Sequence, residues 1–212
     1  NRTVSGDGEV LKQGTGEVTI SSTFIHTGAT TISAGTLLVT GSLTGTAKID
    51  VQNGGVLAGT GTLTLSSGSF GDVNLLAGAK VSPGAGVGTL TTVLSGGGEF
   101  DISPAVTVAN SQALVFEVGA PGANDQVTLL GGALNIGTGV LGFNDFLFSA
   151  QPGLSEGTYT LFNGDSPIVG ALDPDVDHLI GSVGSLFGTI GIGDGGNDLI
   201  LVVIPEPGST AD

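Results

Sequence analysis

Short alternating apolar segments, each opened by a turn built on glycine, follow one another along the first half of this chain. "ISAGTLLVTGSL" (32–43), "VQNGGVLAGTGTL" (51–63) and "LLAGAKVSPGAGVGTL" (75–90) share an apolar entry, a small-residue turn and an alternating strand. Gly35, Gly55 and Gly78 mark equivalent turns, 20 and 23 residues apart, and "GGALNIGTGVL" (131–141) is a looser copy. A β-rich unit of this length cannot bury its own apolar face and must stack on the next, which is the logic of a solenoid. "EVTISS", "TLLVTG", "AKIDVQ" and "TLTLSS" alternate at period two, and no segment carries a helical stripe. The fold class expected is therefore all-β, a parallel β-helix or β-solenoid with almost no helix.

The core of such a fold has to come from Val, Leu, Ile, Ala and nine Phe, because Met, Trp and Cys are absent and Tyr159 is the single tyrosine. Forty Gly in 212 residues, without a collagen period, fit a chain of many tight turns. Without Cys there are no disulfides, thiol catalysis or Cys-zinc sites. Lack of Met and Cys also suits an exposed, oxidising environment. Net charge is −15, and the four basic residues (Arg2, Lys12, Lys48, Lys80) all precede residue 81. Residues 107–212 hold twelve acids and no Lys or Arg, which argues against nucleic acid and anionic membranes as partners. Cation binding or solubility is the expected use of these acids.

Three regions are expected: solenoid coils over 1–95, a second part over 96–204, and a tail over 205–212. The strands of the second part ("ALVFEVG", "DFLFSA", "TYTLF", "DLILVV") are longer and more apolar, and all but one Phe lie beyond residue 69. Wider coils and a small terminal β-sandwich both fit that texture. The chain starts at Asn1 without a signal-like segment and reads as a mature, processed form.

The opening segment resembles the autotransporter-associated β-strand repeat through Lys12, Gly14, Gly16, Thr27, Gly28, Thr30, Ala34, Gly35, Thr36 and Leu37. The likeness covers roughly residues 4–140 and implies a secreted, passenger-like parallel β-helix. "VIPEPGSTAD" resembles the sorting signal of PEP-CTERM proteins, carried by Pro205, Glu206 and Pro207. The membrane helix and basic cluster of that signal are missing here. The resemblance implies export to the outside or surface of a bacterium, with the anchor removed and no membrane partner in the mature form. The plainer reading is that Pro205 and Pro207 stop a terminal strand.

Motifs for chemistry fare poorly on context. "GLSEG" (153–157) matches a nucleophile elbow at Ser155, but a strand-like segment follows where a helix is required. "GIGDGG" (191–196) matches a dinucleotide fingerprint with the same defect. "GDGGNDLIL" (193–201) resembles one calcium-binding nonapeptide, with Asp194, Asn197 and Asp198 as donors, yet calcium needs six to eight oxygens and one copy is present. "DPDVDH" (173–178) gathers Asp173, Asp175, Asp177 and His178 without the glycine and distal glutamate of an EF-hand. Asp173, Asp175, Asp177, Asp194, Asn197 and Asp198 are weak metal candidates, Ca2+ being the ion considered, and a turn is the favoured reading of each stretch. No cofactor and no catalytic residue is expected. His26 is placed on an outward strand position.

Neither end of the chain reads as a polar cap. The function expected is that of an exported structural subunit, assembling head-to-tail with copies of itself into filaments or matrix by coil stacking or strand donation. An adhesin that recognises extracellular polysaccharide is the alternative, and an enzyme acting on polysaccharide comes third.

Overall fold

A computed structural model describes residues 4–66, 72–84, 86–108 and 110–205. The chain winds through coils of three strands. The first four coils are β1 (Val4–Gly6), β2 (Val10–Lys12), β3 (Glu17–Ile20); β4 (Thr23–His26), β5 (Thr30–Ile32), β6 (Gly35–Val39); β7 (Ser42–Thr46), β8 (Ile49–Val51), β9 (Gly55–Gly59); and β10 (Thr62–Leu65), β11 (Val73–Leu75), β12 (Lys80–Pro83). Two larger coils follow: β13 (Thr89–Val93), β14 (Glu99–Asp101), β15 (Leu114–Val118), and then β16 (Gln126–Leu130), β17 (Ala133–Leu141), β18 (Phe146–Ala150). β19 (Gly157–Gly164) and β20 (Val169–Leu172) begin a seventh coil, and β21 (Ile180–Val183), β22 (Leu186–Gly193) and β23 (Asp198–Ile204) close the described chain. The single α-helical segment among the described residues, α1 (Ser103–Val106), is four residues long and starts at a proline-bearing first turn.

Every third strand joins the same sheet, so three parallel sheets run the length of the molecule. The first holds β1, β4, β7, β10, β13, β16 and β19; the second β2, β5, β8, β11, β14, β17 and β20; the third β3, β6, β9, β12, β15 and β18. This is the expected parallel solenoid, and its sheets continue past residue 95 without a break in pairing. Coils widen along the axis. Phe24, Leu43 and Leu63 sit on successive rungs 19 and 20 residues apart, whereas Leu63, Thr92 and Leu129 are separated by 29 and 37. A wider cross-section leaves more volume inside, which explains why the phenylalanines concentrate in the second half. Phe100, Phe116 and Phe162 fill that interior as neighbouring rings 5.6–5.9 Å apart, and Phe116 reaches Phe146 at 6.1 Å.

Inward residues stack in columns. Ile32, Val51 and Leu75 form one such column on the second sheet, and Leu37, Leu57 and Val81 one on the third, each at most 1% exposed. Burial of a Leu or Val side chain of this kind stabilises by roughly 1.5–3 kcal/mol. The expected equivalence of Gly35, Gly55 and Gly78 holds in part. Gly35 is level with Gly55, but Gly54 donates its N–H to the carbonyl of Gly78 at 3.0 Å, so the turn slips by one residue in the fourth coil.

His26 departs from the outward position expected for it. Phe24 and His26 point the same way in β4, packed edge to face at 5.4 Å, and His26 is 2% exposed. The bulky Phe24 fixes the phase of the strand, leaving Thr23 and Ile25 outside. His26 Nε2 lies 2.8 Å from Thr30 Oγ1, which is 3.1 Å from Thr46 Oγ1, and Thr46 can donate to the carbonyls of Gly28 or Lys48. A chain of donations from imidazole to carbonyl satisfies every proton and leaves a bare Nδ1 lone pair, the one ring atom without a partner. Burial lowers the pKa of this histidine, in keeping with a neutral ring.

Candidate functional site: the two ends of the solenoid

Stacked coils leave strand edges at both ends, and the two ends of this molecule differ. At the C-terminal end the chain reverses. β23 pairs antiparallel with β19, β22 with β23, and β21 with β22, so a three-strand meander extends the first sheet. Its inner residues Val183, Ile190, Leu199, Leu201 and Val203 are buried in the same core as Phe143 and Phe146 of the last full coil. A side chain at Gly181 would strike the Phe143 ring, and one at Gly188 would meet Leu201 and Val183. Neither end is expected from the sequence to carry a polar cap; here the meander, apolar on its inner face, covers part of this end, while β18 and β20 still terminate the other two sheets.

The first coil has no such cover among the described residues. β1, β2 and β3 each have a neighbouring strand on one side only. Val18, level with the buried Leu37, is 50% exposed, with no strand beyond β3 among the described residues, and Leu11 is 56% exposed. Lys12 supplies the one polar finish. It is level with Ile32 at the end of an inward column and is 5% exposed. Its stem covers the core while its ammonium donates to the carbonyls of Gly14 (2.7 Å), Ala34 (2.8 Å) and Gln13 (3.1 Å). Gly35 adopts φ +67°, and a side chain there would strike the Gly14 and Gly16 carbonyls and the Lys12 Nζ. Lys12, Gly14, Gly16, Ala34 and Gly35, which carry the repeat resemblance, thus converge on one cation-and-carbonyl contact.

The acids of the second half mostly bind their neighbours. Asp165 accepts the Gly131 N–H at 2.9 Å and Asp198 accepts the Gly164 N–H at 3.1 Å, each from the preceding coil. Asp72 accepts the Glu99 N–H at 3.0 Å. Asp125, 2% exposed, accepts from Gly88 N through Oδ1 and from Glu117 N through Oδ2, both at 2.9 Å. Burial pushes its pKa up to about 6. Side-chain carboxylates therefore take up backbone N–H groups both in turns, as at Gly88 and Gly131, and within strands, as at Glu99 and Glu117.

The same accounting covers the metal candidates. Asp173 Oδ1 accepts the Asp175 N–H at 2.8 Å, and Asp175 Oδ1 accepts the Asp177 N–H at 3.0 Å, opening a 3-10 turn at Val176–Leu179. His178 Nδ1 donates to Asp173 Oδ2 at 2.9 Å, and this carboxylate raises the imidazole pKa. Asp194 is exposed at φ +42°, its carbonyl accepts from Asn197 N, and Asp198 is taken up by Gly164. Among the described residues no group of three or more His, Asp or Glu is arranged to hold a metal ion. Asp145, Asp173 and His178 do border one cavity of about 330 Å3. Asp145, whose pKa burial raises, has both oxygens occupied by Ser111 and Gly142 and braces the cavity wall. Ser155 lies in a turn pinned by Tyr159, whose hydroxyl reaches Ser155 O at 2.7 Å and Gly119 O at 3.0 Å. Pro205 follows β23 and is exposed; Glu206 and Pro207 lie outside the described residues. No helix among the described residues is long and apolar enough to cross a membrane.

Neither the models of known protein families nor the curated proteins give a match to this chain.

Proposed function

We propose that this chain is an exported structural β-solenoid subunit that associates with a copy of itself through the face of its first coil. The observation that carries the reading is the asymmetry of the ends. Among the described residues, three parallel strands with a neighbour on one side only and a half-exposed core valine lie at one end, and a meander covers part of the other. Unpaired edges of this kind template pairing with another chain. Stacking head-to-tail would have to use β18 and β20, since β21–β23 extend the first sheet at that end. The partly covered end therefore favours coupling between two first coils. Export is supported by the likeness to secreted passengers and by a chain free of oxidisable Met and Cys.

Sedimentation velocity over a hundredfold concentration range tests this. Wild-type protein is expected to form a dimer or larger species as concentration rises, and Val18→Lys, which places a charge on the open core face, to remain monomeric. A wild-type protein that stays monomeric throughout overturns the proposal.

A further inference from the structure

Six strands on one flank of the solenoid carry no charged side chain. Strands β4, β7, β10, β13, β16 and β19 of the first sheet contain no Asp, Glu, Lys or Arg, in a chain whose net charge is −15. Strands of the other two sheets carry Lys12, Glu17, Asp50, Lys80, Asp101 and Glu117. Preference of Thr for strands explains hydroxyls anywhere on such a surface, but it does not explain why these six strands lack charge while Asp198 of β23 is the charged residue of the same sheet.

The outward residues of this flank form two parallel columns. Thr23, Ser42, Thr62, Thr91 and Thr128 are level with one another on successive strands. Beside them run Ile25, Thr44, Thr64, Val93 and Leu130. One column is a line of hydroxyls at the strand spacing of about 4.8 Å; the other is a line of methyl and methylene groups with two hydroxyls. β-Branched side chains hold few rotamers, so both columns are pre-ordered. At the C-terminal part of the same flank lies a groove of about 230 Å3 lined by Thr89, Asn124, Gln126, Thr158 and Thr160, all neutral and all able to hydrogen-bond.

We propose that this flank binds an uncharged polysaccharide laid along the solenoid axis. A pyranose chain is amphipathic in the same sense as the surface. Hydroxyls project from the ring edge toward the threonine column, and C–H groups on the ring face cover the apolar column. The groove receives a ring at one end. Exclusion of carboxylates keeps these strands free of the water that charged groups would hold, and the lack of Lys and Arg denies an anionic polymer any counter-charge. No aromatic side chain points outward from β4 to β16, so stacking on aromatic rings is not the mode. Each rung contributes little, and affinity comes from repetition along the chain.

The test is co-sedimentation of the full chain with insoluble cellulose, chitin and mannan, with alginate gel as the anionic control. Retention on at least one neutral polymer is expected, with a six-residue oligosaccharide of that polymer competing at least about tenfold more weakly, per sugar residue, than the soluble polymer. Thr62→Glu with Thr91→Glu is expected to reduce retention at least tenfold. Thr31→Glu, on the outer face of the second sheet, is expected to leave it unchanged. Circular dichroism and thermal unfolding verify that each variant is folded, and Thr44→Glu replaces the double variant if that one is not. Retention on none of the three polymers, on alginate as strongly as on a neutral polymer, or equal loss in Thr31→Glu overturns the proposal. So does adsorption to growing ice in place of any glycan. Val18→Lys leaves this flank intact, so failure of self-association and failure of glycan binding are read separately.

Discussion

Replacing Asp125 by Asn probes the idea that buried carboxylates staple the widened coils. Asp125 is 2% exposed and each of its oxygens accepts one backbone N–H at 2.9 Å. Burial raises its pKa from 3.8 to about 6. The folded state therefore holds the Asp125 proton more tightly than the unfolded chain does, and this group's contribution is greatest at low pH and declines as pH rises through 6. A rise of this size corresponds to about 3 kcal/mol across the whole window, at roughly 1.4 kcal/mol per unit. About half of it falls between pH 5 and pH 7.5. Asparagine does not titrate. It keeps one acceptor oxygen, but its NH2 faces the second N–H, which leaves a buried donor unmet at about 1–3 kcal/mol. Urea unfolding of both proteins at pH 5 and pH 7.5 isolates the effect, because other titrating groups cancel in the difference. The advantage of wild type over Asp125→Asn is expected to be about 1.5 kcal/mol larger at pH 5 than at pH 7.5. A difference that is flat with pH, or larger at pH 7.5, refutes the reasoning.

Two further outcomes follow from the first coils. Lys12→Met keeps the apolar stem but removes the ammonium from three carbonyls; a loss of about 1.5–3 kcal/mol in urea unfolding is expected, and a change under about 0.5 kcal/mol contradicts the capping role. His26 has a lowered pKa, so the unfolded chain takes up the proton first and stability attributable to this group is lost as pH falls below 6.5. His26→Gln is expected to remove that loss, read as a shallower fall in urea midpoint than wild type between pH 7 and pH 5.5; parallel falls contradict a buried neutral ring.

Strand alternation and glycine turns made the solenoid legible, because both are local properties of ten to twenty residues. The coil register followed for β4 to β10, where rungs repeat at 19 and 20 residues. The meander was not legible. "DLILVV" shows the same alternation whether its partner runs parallel or antiparallel, and its direction depends on the turn at Asp194–Gly196, whose Asp194 takes a left-handed conformation. The acids were read as solvated or cation-binding for a related reason. The partners of Asp165 and Asp198 are backbone N–H groups 34 residues earlier, a distance at which sequence carries no signal. In β4 two large apolar residues, Phe24 and Ile25, are adjacent, so alternation alone leaves the phase of the strand open, and the structure turns Phe24 and His26 inward. Lys12 stood out only through the repeat resemblance; its burial depends on carbonyls brought together by two separate turns.

Amide hydrogen exchange followed by mass spectrometry at low and high protein concentration tests the asymmetry of the ends most directly. The account predicts that residues 4–20 gain protection as concentration rises, while residues 180–204 are protected equally at both. Protection of the first coil that ignores concentration, or a meander that exchanges as fast as the unpaired edges, would contradict it.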